Sequence, residues 1–118
     1  MSSSRYPRRG EIWRANTGGK RHAVVIVSLD ARNLSDRTDS VLMIPFGSFG
    51  GPGPTVLCME PGETGLPEPS FLKAHFISVV KRSDLIEPLP RRLSNTQMKK
   101  IVQAVNRAID PDAPFEEK

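Results

Sequence analysis

The chain has 118 residues, a formal net charge of +4 and a single cysteine. That length supports one domain with a modest core and excludes two. Cys58 standing alone excludes an internal disulfide and fits a reducing compartment. No apolar run approaches the ~18 residues of a membrane span, and the first ten residues lack the apolar stretch of a secretory signal, so the cytoplasm is the expected location.

The charge is unevenly spread. Arg5, Arg8, Arg9, Arg14, Lys20 and Arg21 face only Glu11 in the first 22 residues, whereas Asp110, Asp112, Glu116 and Glu117 crowd the end. A basic body with an acidic end favours a polyanion as ligand, although a merely solvated surface produces the same imbalance. Residues 1–9 read as a flexible basic arm, 10–110 as the single domain and 111–118 as a mobile acidic tail.

Within that domain, Glu11 to Asn16 alternates at period 2, Thr17-Gly18-Gly19 supplies turn chemistry, and Ala23 to Val27 is an unbroken apolar run. This predicts a hairpin whose second strand is covered on both faces. Arg21 sits where the turn enters the core, and a guanidinium there needs solvent, an anion or a nearby carboxylate. Leu29 to Asn33 suits one helical turn, Leu34 to Asp39 a loop, and Ser40 to Phe46 a third strand with Pro45 at its end or on an edge.

Gly47 to Pro54 holds four glycines and two prolines in eight residues, and it is the most loop-like run in the chain. Phe49 in its middle either stacks on an unpaired base, a contact of ~1–3 kcal/mol, or tucks into the barrel or a partner. Thr55 to Glu60 reads as a fourth strand with Cys58 a small buried hydrophobe. Pro61 to Ser70 is turn-rich.

Phe71 to Val80 resumes strand character. Alternation puts Leu72, Ala74 and Phe76 on one face and Phe71, Lys73, His75 and Ile77 on the other, with Lys73 and His75 about 6–7 Å apart. Arg82 to Leu85 suits a turn and Ile86 to Leu93 a proline-spaced extended stretch. Ser94-Asn95-Thr96-Gln97 has the form of a capping box, and Met98, Ile101, Val102, Val105, Ala108 and Ile109 recur at helical spacing until Asp110-Pro111 ends the helix.

The order RRGEIW, a short turn, Arg21 and VVIVSLDARN resembles the opening of the MazF/PemK family, bacterial toxins of toxin–antitoxin pairs. Further on, SVLMIPFGS resembles that family's third strand and following loop, and GLPEPSFLKAHFISVVKRSDL its later strands. The resemblance implies a mainly β fold, an SH3-like barrel of the PemK type with about five to seven strands and a C-terminal helix. It also implies a homodimer that cuts single-stranded RNA without a metal or cofactor, through attack by the 2′-hydroxyl, and that binds a cognate antitoxin chain.

Such cleavage needs a base for the 2′-hydroxyl proton, a cation for the phosphorane and an acid for the leaving 5′-oxygen. The chain has no metal-ligand spacing of His, Cys and Asp, no GxSxG and no P-loop, so metal-dependent, acyl-transfer and nucleotide-triphosphate chemistries have no support. The resemblance places Arg21 at the family's phosphate-contacting arginine, with His22 where proline is usual. The family's Pro-x-Thr-Ser becomes Pro45-Phe46-Gly47-Ser48, so glycine replaces the catalytic threonine and Ser48 is the adjacent hydroxyl. Its Arg-x-Asp becomes Lys73-Ala74-His75, where imidazole is a competent base at neutral pH, and its Gln-x-Arg becomes Phe76-Ile77-Ser78. The expected catalytic group is therefore Arg21, His75, Lys73 and Ser48, with Lys20, His22 and Phe49 binding RNA. Two other readings stay open: a non-catalytic module on the same barrel that holds RNA or an antitoxin segment, and a gyrase-directed toxin of related fold, whose apolar C-terminal end is missing here.

Overall fold

A computed structural model describes residues 6–110 and Asp112. Residues 1–5 of the expected arm, and the expected tail apart from Asp112, lie outside the described residues. Strands β1 (Glu11–Thr17) and β2 (Lys20–Ile26) form a hairpin in register Thr17 opposite Lys20. Gly18 and Gly19 between them have φ of 59° and 81°, the positive values at both central positions that a two-residue turn matching the strand twist requires. After the helical turn α1 (Asp30–Asn33) come β3 (Ser40–Gly47), β4 (Val56–Met59), the short helix α2 (Pro61–Thr64), β5 (Ser70–Lys73), β6 (Ser78–Lys81), β7 (Leu85–Arg92) and helix α3 (Asn95–Ile109). The seven strands pair antiparallel in the order β4-β5-β3-β2-β1-β7, with β6 also on β3. The arrangement is barrel-like without closing. β7 carries Pro88 and Pro90 on an edge strand, where a missing N–H costs no ladder bond.

Both faces of this sheet are covered, which is why the run from Ala23 to Val27 needs no polar alternation. Ile12, Val25, Ile44, Phe46 and Leu72 pack with Met98, Ile101 and Ala104 of α3 on one face. Trp13, Ala15, Val24, Ile26, Val41, Met43 and Val80 pack together on the other. The helix starts where the capping pattern predicts: the Gln97 N–H donates to Ser94 Oγ at 3.2 Å, and the Ser94 N–H to Gln97 Oε1 at 2.8 Å. Among the described residues no helix is long and apolar enough to cross a membrane.

Four expectations change. The predicted strand from Phe71 to Val80 is split by a 3₁₀ turn at Ala74–Phe76. β3 pairs with β6 as far as Met43 opposite Ser78, and with β5 from Phe46 opposite Leu72. The break falls across from Pro45, which has no N–H to continue the ladder on that edge, so Pro45 sits inside a central strand at the one place a proline fits. Cys58 is exposed, not buried. Alternation along β4 sends Leu57 and Met59 to the core and leaves Cys58 on the outer side of a short strand. Phe49 does not tuck into the fold and is 83% exposed. Pro61 to Ser70 contains a helix, α2, where a proline at its start and a reciprocal Glu60–Glu63 cap stabilise a single turn. At the N-terminal end, Tyr6 donates to Asp36 at 2.7 Å and the Arg9 N–H to Asp30 Oδ1 at 2.7 Å, which ties residues 6–9 to the body.

Candidate functional site

Past the second core, the sheet face that carries Val24 and Ile26 runs on uncovered to the hairpin end, and a cleft of about 230 Å³ opens there. Its lining is Thr17, His22, Pro45, Phe46, Gly47, Phe71, Lys73 and Phe76. Four elements contribute: the end of β1, the start of β2, the end of β3 and β5 with the turn that follows. That volume is below the ~300–1,000 Å³ of pockets for drug-sized ligands, so the cleft suits one ring or one sugar-phosphate unit of a longer chain.

The register explains who enters. Across the two-residue turn, Ala15 pairs with His22 and Thr17 with Lys20, while Asn16 pairs with Arg21. Side chains of paired residues share a face, so Thr17, Lys20 and His22 stand on the cleft side and Arg21 on the other. Arg21 is exposed, lines no part of the cleft, and its side chain makes no hydrogen bond or ion pair among the described residues. Lys73 enters from β5, with Nζ 5.6 Å from the centre of the Phe76 ring, a cation–π distance.

His75 is exposed outside the lining. Because the chain turns after Lys73, His75 does not stand beside it as strand alternation predicts. Its Nδ1 lies 2.8 Å from Thr55 Oγ1, and its ring meets Phe76 edge-on at 4.7 Å. Lys73 and His75 therefore both contact one aromatic ring, Phe76. Ser48 and Phe49 are exposed on the loop beyond Gly47 and do not line the cleft. Of the seven expected residues, His22 and Lys73 are brought together, Lys20 sits on the same face at the hairpin tip, and Arg21 lies apart.

Thr17 is the cleft residue that the sequence reading passes over. The signal was present in the hairpin register, which pairs the last residue of β1 with Lys20 and so places its hydroxyl with His22. Gly47 borders the same cleft and leaves the wall there without a hydroxyl. Among the described residues no group of three or more His, Cys, Asp or Glu is placed to hold a metal ion. What the cleft offers is one imidazole, one ammonium and one hydroxyl between aromatic walls, a set suited to an anion carrying a planar ring.

Comparison with solved structures gives the same fold. A mycobacterial endoribonuclease in complex with its cognate antitoxin superposes with a TM-score of 0.77 at 26% identity, over 92% of this chain and 99% of that one. The Mycobacterium tuberculosis toxin MazF-mt6 aligns with a TM-score of 0.75 at 20% identity, over 86% and 98% of the two chains. The MazE–MazF structure of Deinococcus radiodurans follows with 0.74 at 16%, over 91% and 98%. No curated protein sequence matches. Residues 8–109 match the sequence profile described as PemK-like, MazF-like toxin of type II toxin-antitoxin system, and that match, spanning every strand and α3, places this chain in that toxin family.

Proposed function

We propose that this toxin is a metal-independent endoribonuclease for single-stranded RNA and that the cleft of His22 and Lys73 is where it cuts. The observation that carries this reading is the convergence of an imidazole and an ammonium in one open, aromatic-walled cleft. RNA lies across the hairpin end with the scissile phosphate beside Lys73. An imidazole, His22 in the cleft or His75 at its rim, takes the proton of the 2′-hydroxyl. The 2′-oxygen attacks the adjacent phosphorus, Lys73 offsets the charge on the phosphorane, and the P–O5′ bond breaks. The leaving 5′-oxygen receives a proton from the second imidazole, and the products are a 2′,3′-cyclic phosphate and a free 5′-hydroxyl. Lys20 and Arg21 at the hairpin tip hold flanking phosphates, and Phe49 offers a stacking surface. The same proposal includes a homodimer in the cytoplasm that is restrained by a cognate antitoxin, as the antitoxin complex of the mycobacterial relative suggests.

A second reading is favoured by Gly47: with no hydroxyl at that wall, the cleft binds RNA and leaves it intact. Incubating the purified protein with single-stranded RNA in EDTA separates the two. Cleavage ending in 2′,3′-cyclic phosphates, abolished in His22→Ala, Lys73→Ala, supports the nuclease. Salt-dependent binding with intact RNA supports the module, and fragments that persist undiminished in the double variant point to a contaminating activity.

A further inference from the structure

The loop from Gly47 to Pro54 is not a passive connection. Gly50 has φ of 135°, a conformation that side chains rarely adopt, and a Cβ there would come 3.0 Å from Lys73 Cε, 3.5 Å from Lys73 Nζ and 3.8 Å from Phe71 Cγ. The loop backbone therefore lies directly on the end of the Lys73 side chain. Phe76 meets the same ammonium at 5.6 Å. Gly51 and Gly53, in the same loop, have nothing within 4 Å of an added Cβ and no positive φ. Backbone conformation thus favours glycine at position 50, where an added Cβ would also displace the end of the Lys73 side chain, and neither holds at Gly51 or Gly53.

The loop is also held in place at its far end. The Val56 N–H donates to Gly53 O at 3.2 Å, Arg107 of α3 donates to Pro54 O at 3.2 Å, and the Ala74 N–H donates to Thr55 O at 2.8 Å. These bonds fix the loop to β4, to the helix and to the turn that follows Lys73. A lysine on a four-carbon stem is otherwise free to sample many rotamers, and every rotamer lost on binding weakens its grip on an anion.

We propose that Gly50 is a positioning residue: it lets the loop close on Lys73 and sets the ammonium in advance over Phe76, facing the cleft. This rests on the reading in which Lys73 grips the RNA phosphate. Gly50 touches no reacting atom and acts only through Lys73.

The test uses the full chain, EDTA-resistant RNA cleavage, and the binding of a short fluorescein-labelled 2′-O-methyl RNA of mixed sequence, which cannot be cut. Lys73→Ala is expected to weaken binding about tenfold and to lower the salt slope by about 1. Gly50→Ala is expected to weaken binding about threefold, lower the same slope and reduce kcat more than it changes KM, with Gly51→Ala unchanged. In the Lys73→Ala background, Gly50→Ala should add nothing. A Gly50→Ala equal to Gly51→Ala, or an equal loss with and without Lys73, overturns the inference, the latter because it reports backbone strain. Silence of Lys73→Ala itself overturns the assignment of the site instead. If Gly50→Ala does not fold, side-chain NMR relaxation of the unaltered protein decides: Lys73 methylenes more ordered than those of exposed Lys20 support the proposal, and equal mobility overturns it.

Discussion

The face of the sheet beneath α3 and the cleft on the opposite face share strands β3 and β5, and Phe46 belongs to both, yet they are built on opposite terms. Under α3, Met98, Ile101 and Ala104 recur at helical spacing on the buried side, Ile101 is 1% exposed and the helix start is capped by a reciprocal pair. At the cleft the periodicity fails: Pro45 interrupts a ladder, a 3₁₀ turn replaces a strand, and Phe76 is half exposed. Burial on the first face supplies the stability that lets the cleft keep apolar rings and the Lys73 ammonium open to a ligand.

The largest expected effect tests the covered face. Ile101→Ala should cost about 2–5 kcal/mol in chemical denaturation because it removes buried methyl groups and leaves a cavity. Well below the shifted melting temperature it should leave cleavage per folded molecule unchanged; a proportionate loss of activity would show that the two regions are not separable. At the cleft, His22→Ala should lower kcat for RNA cleavage roughly 10²-fold at unchanged stability. Returning to the helix, Ser94→Ala should lose about 1 kcal/mol as one orphan N–H loses its partner, read as a shift of the thermal midpoint.

Smaller still is Arg21→Ala, which should weaken RNA binding a few-fold and lower its salt slope by about 1 with kcat untouched. A loss of kcat larger than that of His22→Ala would move the reaction to the other face of the hairpin. The smallest effect concerns Glu63, whose carboxyl is held below the usual glutamate range by the Glu60 N–H and then by the Gln97 side chain, which reaches it at 2.6 Å. A lowered carboxylate pKa adds stability that is complete above the unfolded value and is lost as the pH falls through the folded one. Glu63→Gln should therefore flatten the acid side of the stability profile below about pH 4.3 and leave the neutral side nearly level.

Much of the fold was legible from local chemistry. Gly18-Gly19 marks the hairpin turn, the Ser94-x-x-Gln97 pair marks the helix start, and Met98 and Ile101 mark its buried face, whereas Val102 and Ile109 of the same expected stripe are 46% and 69% exposed and Ala104 is buried instead. Each of these rests on bonds or burial within a few residues of chain. The site was harder to read. Alternation put His75 beside Lys73, but alternation assumes an unbroken strand, and the break after Lys73 depends on β3 exchanging β5 for β6 opposite Pro45. Proximity to the core made Arg21 the natural centre, whereas the register turns it away and brings in Thr17 and His22. The exposure of Cys58 likewise depends on which side of β4 the core occupies.

By itself, then, the order of residues determined the first three strands, the hairpin turn, the C-terminal helix and its cap, and the resemblance to a toxin family, because these depend on short-range periodicity and on motifs in sequence. Only the tertiary structure decided which cations share a cleft, because that follows from strand register and from a change of pairing partner between segments far apart in the chain. The seat of Lys73 under Gly50 belongs to the second kind: it is made by a loop and a strand that meet only once the sheet has formed.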